Sequence, residues 1–142
     1  MFLRCTLAIP RHILLRQLPT IQNAVNISST AANKAMFNVQ DEEDFQKRVI
    51  DSATPVIVDF HASWCGPCKL LAPRIEKVIA GKGEKVHLAK VDIDDISDVA
   101  LKYGVSAVPS VIAIRNGKVV DKFVGLQEEN RIESFINGVI AE

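Results

Sequence analysis

Val56, Ile57, Val58, Asp59 and Phe60 form a nearly continuous apolar run that leads almost directly into Trp64, Cys65, Gly66, Pro67 and Cys68. Beyond it, Cys68, Leu71, Ile75, Val78 and Ile79 recur three and four apart. An apolar run of this kind is a strand covered on both faces, as in a parallel sheet, and the stripe after it is one side of a helix packed on that sheet. The Cys-X-X-Cys sequence therefore sits where a central strand hands over to a helix. The thiolate is the reactive form of cysteine, and the unpaired N–H groups and positive dipole end of a helix start favour negative charge on the first sulfur. Cys65 is thus the expected attacking sulfur. Cys68 lies one turn along the same helix face, close enough to bridge without large backbone movement. The motif reads as a redox dithiol.

The chain around it alternates strand and helix signals. Phe37 to Val39 reads as a short strand and Asp41 to Ser52 as a helix, with Asp41, Glu42, Glu43 and Asp44 in its first turn and Lys47 with Arg48 later, complementing the dipole. Phe45 and Val49 give its buried side. Pro73 stands inside the second helix, where a kink is expected, and Gly81, Lys82 and Gly83 should stop it. Val86 to Asp92 is the next strand, Asp95 to Tyr103 a short helix closed by Gly104, and Ser110 to Arg115 another strand. Asn116 and Gly117 supply the positive-φ pair of a tight hairpin into Lys118 to Val124. Gly125 introduces a last helix with Ile132, Phe135, Ile136, Val139 and Ile140 as its core face. The order βαβαβαββα predicts an α/β fold: a central mixed, mostly parallel five-stranded sheet with helices on both faces.

Charge divides the chain. The first forty residues hold four of the 17 basic residues, Arg4, Arg11, Arg16 and Lys34, and none of the 17 acidic ones. With Thr20, Ser28, Ser29 and Thr30 among small and apolar neighbours, this is the composition of an organelle transit peptide. Residues 1–35 are therefore expected to be a removed mitochondrial leader and residues 36–142 the functional domain, mildly acidic by itself. Arg4, Pro10, Arg11 and Arg16 interrupt every stretch that could serve as the uncharged core of a secretory signal. No apolar run reaches the roughly 18 residues of a membrane span. Cys5 would leave with the leader, so a disulfide-stapled fold is disfavoured. The basic residues after position 40 are scattered and outnumbered, which argues against nucleic-acid binding.

Trp64 to Cys68, Asp59, Lys90, Val108 with Pro109, and Gly125 stand where the thioredoxin family has its motif residues, and from about Phe37 to the C-terminus the chain resembles that family. With the leader, it is most similar to the family's mitochondrial members. The resemblance implies a thioredoxin fold and a protein-disulfide reductase, a thiol–disulfide oxidoreductase of the mitochondrial matrix that maintains redox balance there. It implies no bound cofactor or metal, and recycling by thioredoxin reductase, an NADPH-dependent flavoprotein. Peroxiredoxin and methionine sulfoxide reductase are the implied clients. A monomer is expected.

The same resemblance assigns roles. Asp59, a carboxylate in an otherwise apolar strand, is costly unless partnered or protonated; in a thioredoxin-like site it takes the proton of Cys68 as that sulfur attacks the mixed disulfide, with Lys90 as countercharge. A purely structural acid paired with Lys90, or a solvated strand-end Lys90, is the alternative. The family implies a cis Val108–Pro109 bond beside Cys65, freeing the Val108 backbone to pair with an extended substrate segment, and a glycine, here Gly125, that lets that backbone approach. Trp64 is either a contact surface near Cys65 or a packing residue. Gly66 and Pro67 shape the helix start, and proline at this position goes with reductants rather than oxidases and isomerases. His61 departs from the aromatic residue common two positions after the strand aspartate and reads as a partly exposed packing histidine rather than an acid or base; His87 reads as structural. A zinc site would lack a second Cys or His pair. A binding module with a dispensable dithiol remains open at this point.

Overall fold

A computed structural model describes residues 35–141; the leader and Cys5 lie outside the described residues. Five strands form one sheet in the order β1-β3-β2-β4-β5, with β1 at Met36–Asn38, β2 at Val56–His61, β3 at His87–Asp92, β4 at Ser110–Arg115 and β5 at Lys118–Val124. The helices are α1 at Glu42–Phe45, continued by a π-helical turn at Gln46–Ile50, then α2 at Gly66–Lys82, α3 at Ser97–Lys102 and α4 at Glu129–Ala141. The elements thus follow the expected order, with ends differing by a few residues. The Asp41 carboxylate caps α1 by accepting from the Asp44 N–H at 2.8 Å. The expected Asp41–Ser52 helix changes its winding at Gln46. α2 runs through Pro73 as one helix and on to Lys82, so Gly81 lies inside it and Gly83 ends it.

The sheet is mixed as expected, but not mostly parallel. β3 pairs parallel with β1 and β2, whereas β4 is antiparallel to both β2 and β5. The chain enters β4 from the end of the sheet where β3 finished. Asn116 and Gly117 then take φ of 51° and 73°, the left-handed pair that a two-residue hairpin needs.

Alternation along β2 divides the core. Val56, Val58 and Phe60 join Phe45, Val49, Val91 and Val99 beneath α1 and α3. Ile57 joins Leu71, Ile75, Ile79, Leu88, Ile132 and Ile136 beneath α2 and α4. The predicted stripe of α2, from Cys68 to Ile79, is buried throughout; on α4, Ile140 alone of the predicted face is only half-buried. Because strand side chains alternate with period two, Asp59 shares the face of Ile57, and Lys90 that of Leu88. Asp59 and Lys90 are register partners on adjacent parallel strands. The sheet therefore brings both charges under the start of α2.

Candidate active site

Cys65 is the N-cap of α2, with extended backbone. Its N–H donates to the Ala62 carbonyl at 3.2 Å, closing the turn out of β2, and its Sγ accepts from the Cys68 N–H at 3.2 Å. Pro67 occupies the first turn, where its missing donor breaks no helical bond. Cys65 and Cys68 are joined by a disulfide with Cα atoms 5.4 Å apart. Both residues are buried, packed with Ala62 and against Ile93 and Val108. On reduction, the helix start and the Cys68 N–H would both stabilise a Cys65 thiolate.

The rim is open. Trp64 is 68% exposed, and its indole N–H donates to Asp94 Oδ2 at 3.0 Å, so it is a surface residue rather than a packed one. Asp94 is itself held by its N–H, which donates to Asp92 Oδ1 at 2.9 Å. Val108–Pro109 is cis, and the Ser110 hydroxyl donates to the Ala107 carbonyl at 2.6 Å across it. The Gly125 N–H donates to the Pro109 carbonyl at 2.8 Å. Gly125 has φ of 91°, and nothing lies within 4 Å of where its Cβ would stand. Backbone strain, not crowding, requires glycine there. Arg74 of α2 donates to the Gln127 carbonyl at 2.7 Å, fastening this segment to the active-site helix.

Behind the dithiol, Asp59 is 2% exposed, and its Oδ1 is buried without a hydrogen-bond partner. Burial raises its pKa from 3.8 to about 6; the charges of His61 and Lys90 oppose that rise, and Glu76 adds to it. A cavity of about 190 Å³ joins Asp59, His61, Cys68, Lys69 and Lys90, giving space for water between carboxyl and sulfur. Lys90, expected as the Asp59 countercharge, bonds instead to Glu76 Oε1 and acts on Asp59 only through space. Glu76 and Asp94 were missed in the sequence. Glu76 falls on α2 one position after the buried Ile75, a placement that needs the helix docked on β3 to have meaning. Asp94 lies in the acidic stretch Asp92 to Asp95, which marks a turn and nothing more specific.

Cys65, Cys68, Asp59, Lys90, Trp64, Gly66, Pro67, Val108, Pro109 and Gly125 thus come from separate parts of the chain and meet at one end of the sheet. Among the described residues, no three His, Cys, Asp or Glu side chains are grouped so as to hold a metal ion, and no helix is long and apolar enough to cross a membrane. The arrangement can exchange a disulfide with an extended partner and move one proton between Cys68 and Asp59.

The family model described as Thioredoxin matches residues 36–138. "Thioredoxin, mitochondrial" of Bos taurus is 56% identical over 121 residues, covering 85% of this chain and 73% of that protein. The protein of the same name from Rattus norvegicus is 58% identical over 112 residues, covering 79% and 68%. A solved structure, that of a single-site mutant of thioredoxin from Halobacterium salinarum, superposes with a TM-score of 0.67 at 31% identity, covering 75% of this chain and 92% of that one.

Proposed function

The chain belongs to the thioredoxin family and is a protein-disulfide reductase, and on that premise we propose that Cys65 attacks, Cys68 resolves and Asp59 takes the resolving proton. The Cys65 thiolate attacks one sulfur of a substrate disulfide, forming a mixed disulfide and releasing the other sulfur as a thiolate. Cys68 then gives its proton to Asp59 and attacks Cys65 Sγ. The Cys65–Cys68 bond forms, the bond from Cys65 to substrate breaks, and the substrate leaves as its dithiol after taking up protons. The observation that carries this reading is the Cys65–Cys68 disulfide at the N-terminus of α2, with a buried, unpartnered carboxylate sharing a cavity with Cys68.

The rim supports the binding side. The Val108 backbone beside the cysteines and the open space over Gly125 suit an extended segment paired through its main chain, with the exposed Trp64 as an apolar contact. Pairing of this kind is tolerant of sequence, which suits a reductant of many proteins. Gly66 and Pro67 hold the helix start, and Lys90 moderates the Asp59 charge.

Thioredoxins work with thioredoxin reductase and disulfide substrates, and the chain is placed with the mitochondrial members. The finer reading is a matrix protein whose residues 1–35 are a removed leader. In it, an NADPH-dependent flavoprotein reductase restores the dithiol, and peroxiredoxin and methionine sulfoxide reductase are among the clients. The test follows NADPH consumption by thioredoxin reductase in the presence of insulin as disulfide substrate and the chain as carrier. Turnover that Cys65→Ser abolishes is expected. Failure of the reduced, folded chain to carry electrons would overturn the reading in favour of a binding module.

A further inference from the structure

The reacting sulfur and the backbone rim proposed to pair with substrate belong to different parts of the molecule. Cys65 starts α2, whereas Val108, Pro109 and Gly125 lie in the segments before β4 and after β5. A protein disulfide that uses both needs them held in one geometry, since a misplacement of about 1 Å can cost about a hundredfold in rate.

The segment from Gly125 to Glu128, between β5 and α4, is tied at three points. At its start the Gly125 N–H donates to the Pro109 carbonyl at 2.8 Å, joining it to the cis proline. At its end the Glu128 carbonyl accepts from the Arg131 and Ile132 N–H groups at 3.0 and 3.1 Å, joining it to α4. Between these, Arg74 Nη1 donates to the Gln127 carbonyl at 2.7 Å and pairs with Glu128 Oε1 at 3.1 Å. Of these ties, only Arg74 comes from α2. That helix runs unbroken through Pro73, so Arg74 keeps a fixed place relative to the dithiol, roughly 13 Å along the axis.

The two contacts of Arg74 differ in worth. The Glu128 side chain is 79% exposed, and an exposed ion pair adds little. The bond to the Gln127 carbonyl is part-buried and charge-assisted, and the planar guanidinium fixes its direction as well as its length. It holds a backbone that displays Leu126 to solvent against the helix that carries the sulfurs.

We propose that Arg74 is a positioning residue that sets specificity for protein disulfides: by clamping the Gln127 carbonyl to α2, it keeps the Gly125 rim at the spacing from Cys65 that an extended backbone requires. This rests on the proposed pairing of substrate beside Val108 and across Gly125. A small disulfide reaches Cys65 without engaging that rim, so its reduction does not depend on the clamp.

The test compares the rates at which the reduced chain, without reductase, reduces insulin and dithiobis(nitrobenzoate), so that effects on recycling drop out. Arg74→Met, which keeps an apolar stem but no donor, should slow insulin at least about fivefold and alter dithiobis(nitrobenzoate) by less than about twofold. In the same variant, amide hydrogen exchange should quicken at Gly125 and stay unaltered in α2 and the central strands. Arg74→Ala repeats the comparison should the methionine variant not fold. Glu128→Gln, which leaves the carbonyl bond in place, should keep the insulin rate within about twofold. An insulin rate unaltered in the Arg74 variant, while Gly125→Ala slows it, overturns the clamp and leaves the substrate pairing in place. Equal slowing of both disulfides, slow insulin with Gly125 exchange unaltered, or equal slowing of insulin by Glu128→Gln also overturns the clamp. Unaltered insulin reduction in Gly125→Ala overturns the pairing itself.

Discussion

The two faces of β2 are made by alternate residues of one strand and are opposite in kind. Val56, Val58 and Phe60 enter a wholly apolar layer beneath α1 and α3. On the other face Ile57 is followed by Asp59 and His61, and the apolar layer beneath α2 and α4 gives way to a cavity at the dithiol end that Asp59 and Lys90 line. The first face stabilises. The second accepts a destabilising carboxylate where the proposed chemistry uses one, a local conflict of the kind expected at functional sites.

The largest difference should come from the dithiol. Cys65→Ser should bring NADPH-coupled disulfide reduction down to background while leaving the far-ultraviolet circular dichroism and the sheet intact. Activity persisting in that variant would break the division between the two faces. On the apolar face, Phe60→Ala should cost about 3 to 5 kcal/mol in chemical denaturation, since Phe60 is fully buried, and reduced folded protein should retain its thiol reactivity.

Asp59→Ala should act in the opposite direction. The folded pKa of about 6 lies above the ordinary 3.8. Asp59 therefore carries no charge-burial penalty below about pH 4, and stability is lost as pH rises from there through about 6. The penalty at neutral pH is on the order of 3 kcal/mol. Denaturation of the oxidised protein across this range should find Asp59→Ala gaining on the unaltered chain as pH rises, with slower dithiol turnover. Parallel stability profiles would show that Asp59 carries no penalty from burial. On the rim, away from both faces, Gly125→Ala should cost about 1 to 2 kcal/mol for its left-handed backbone and raise the KM for protein disulfides more than for a small disulfide. An equal change for both would remove Gly125 from backbone approach.

Legibility in the sequence followed periodicity. The strands and the stripes of α2 and α4 appear because burial on one or both faces leaves a pattern of two or of three and four. The dithiol was legible because its two cysteines are neighbours in the chain. Asp59 stood out as a charge in an apolar run. The antiparallel setting of β4 left no such trace, since a strand buries the same alternating side chains whichever way it runs.

Pairing across elements was the other blind spot. Lys90 and Asp59 share a face by parity, yet the ammonium bonds to Glu76 from α2, and Trp64 is held by Asp94 from the loop after β3. By itself, then, the sequence determined the elements, the layers, the redox pair and the anomalous buried acid, because each is encoded in residues close together in the chain. Only the tertiary structure decided which charges meet and where the cavities lie, because side chains distant in sequence compete for the same partner only once the sheet and α2 are packed.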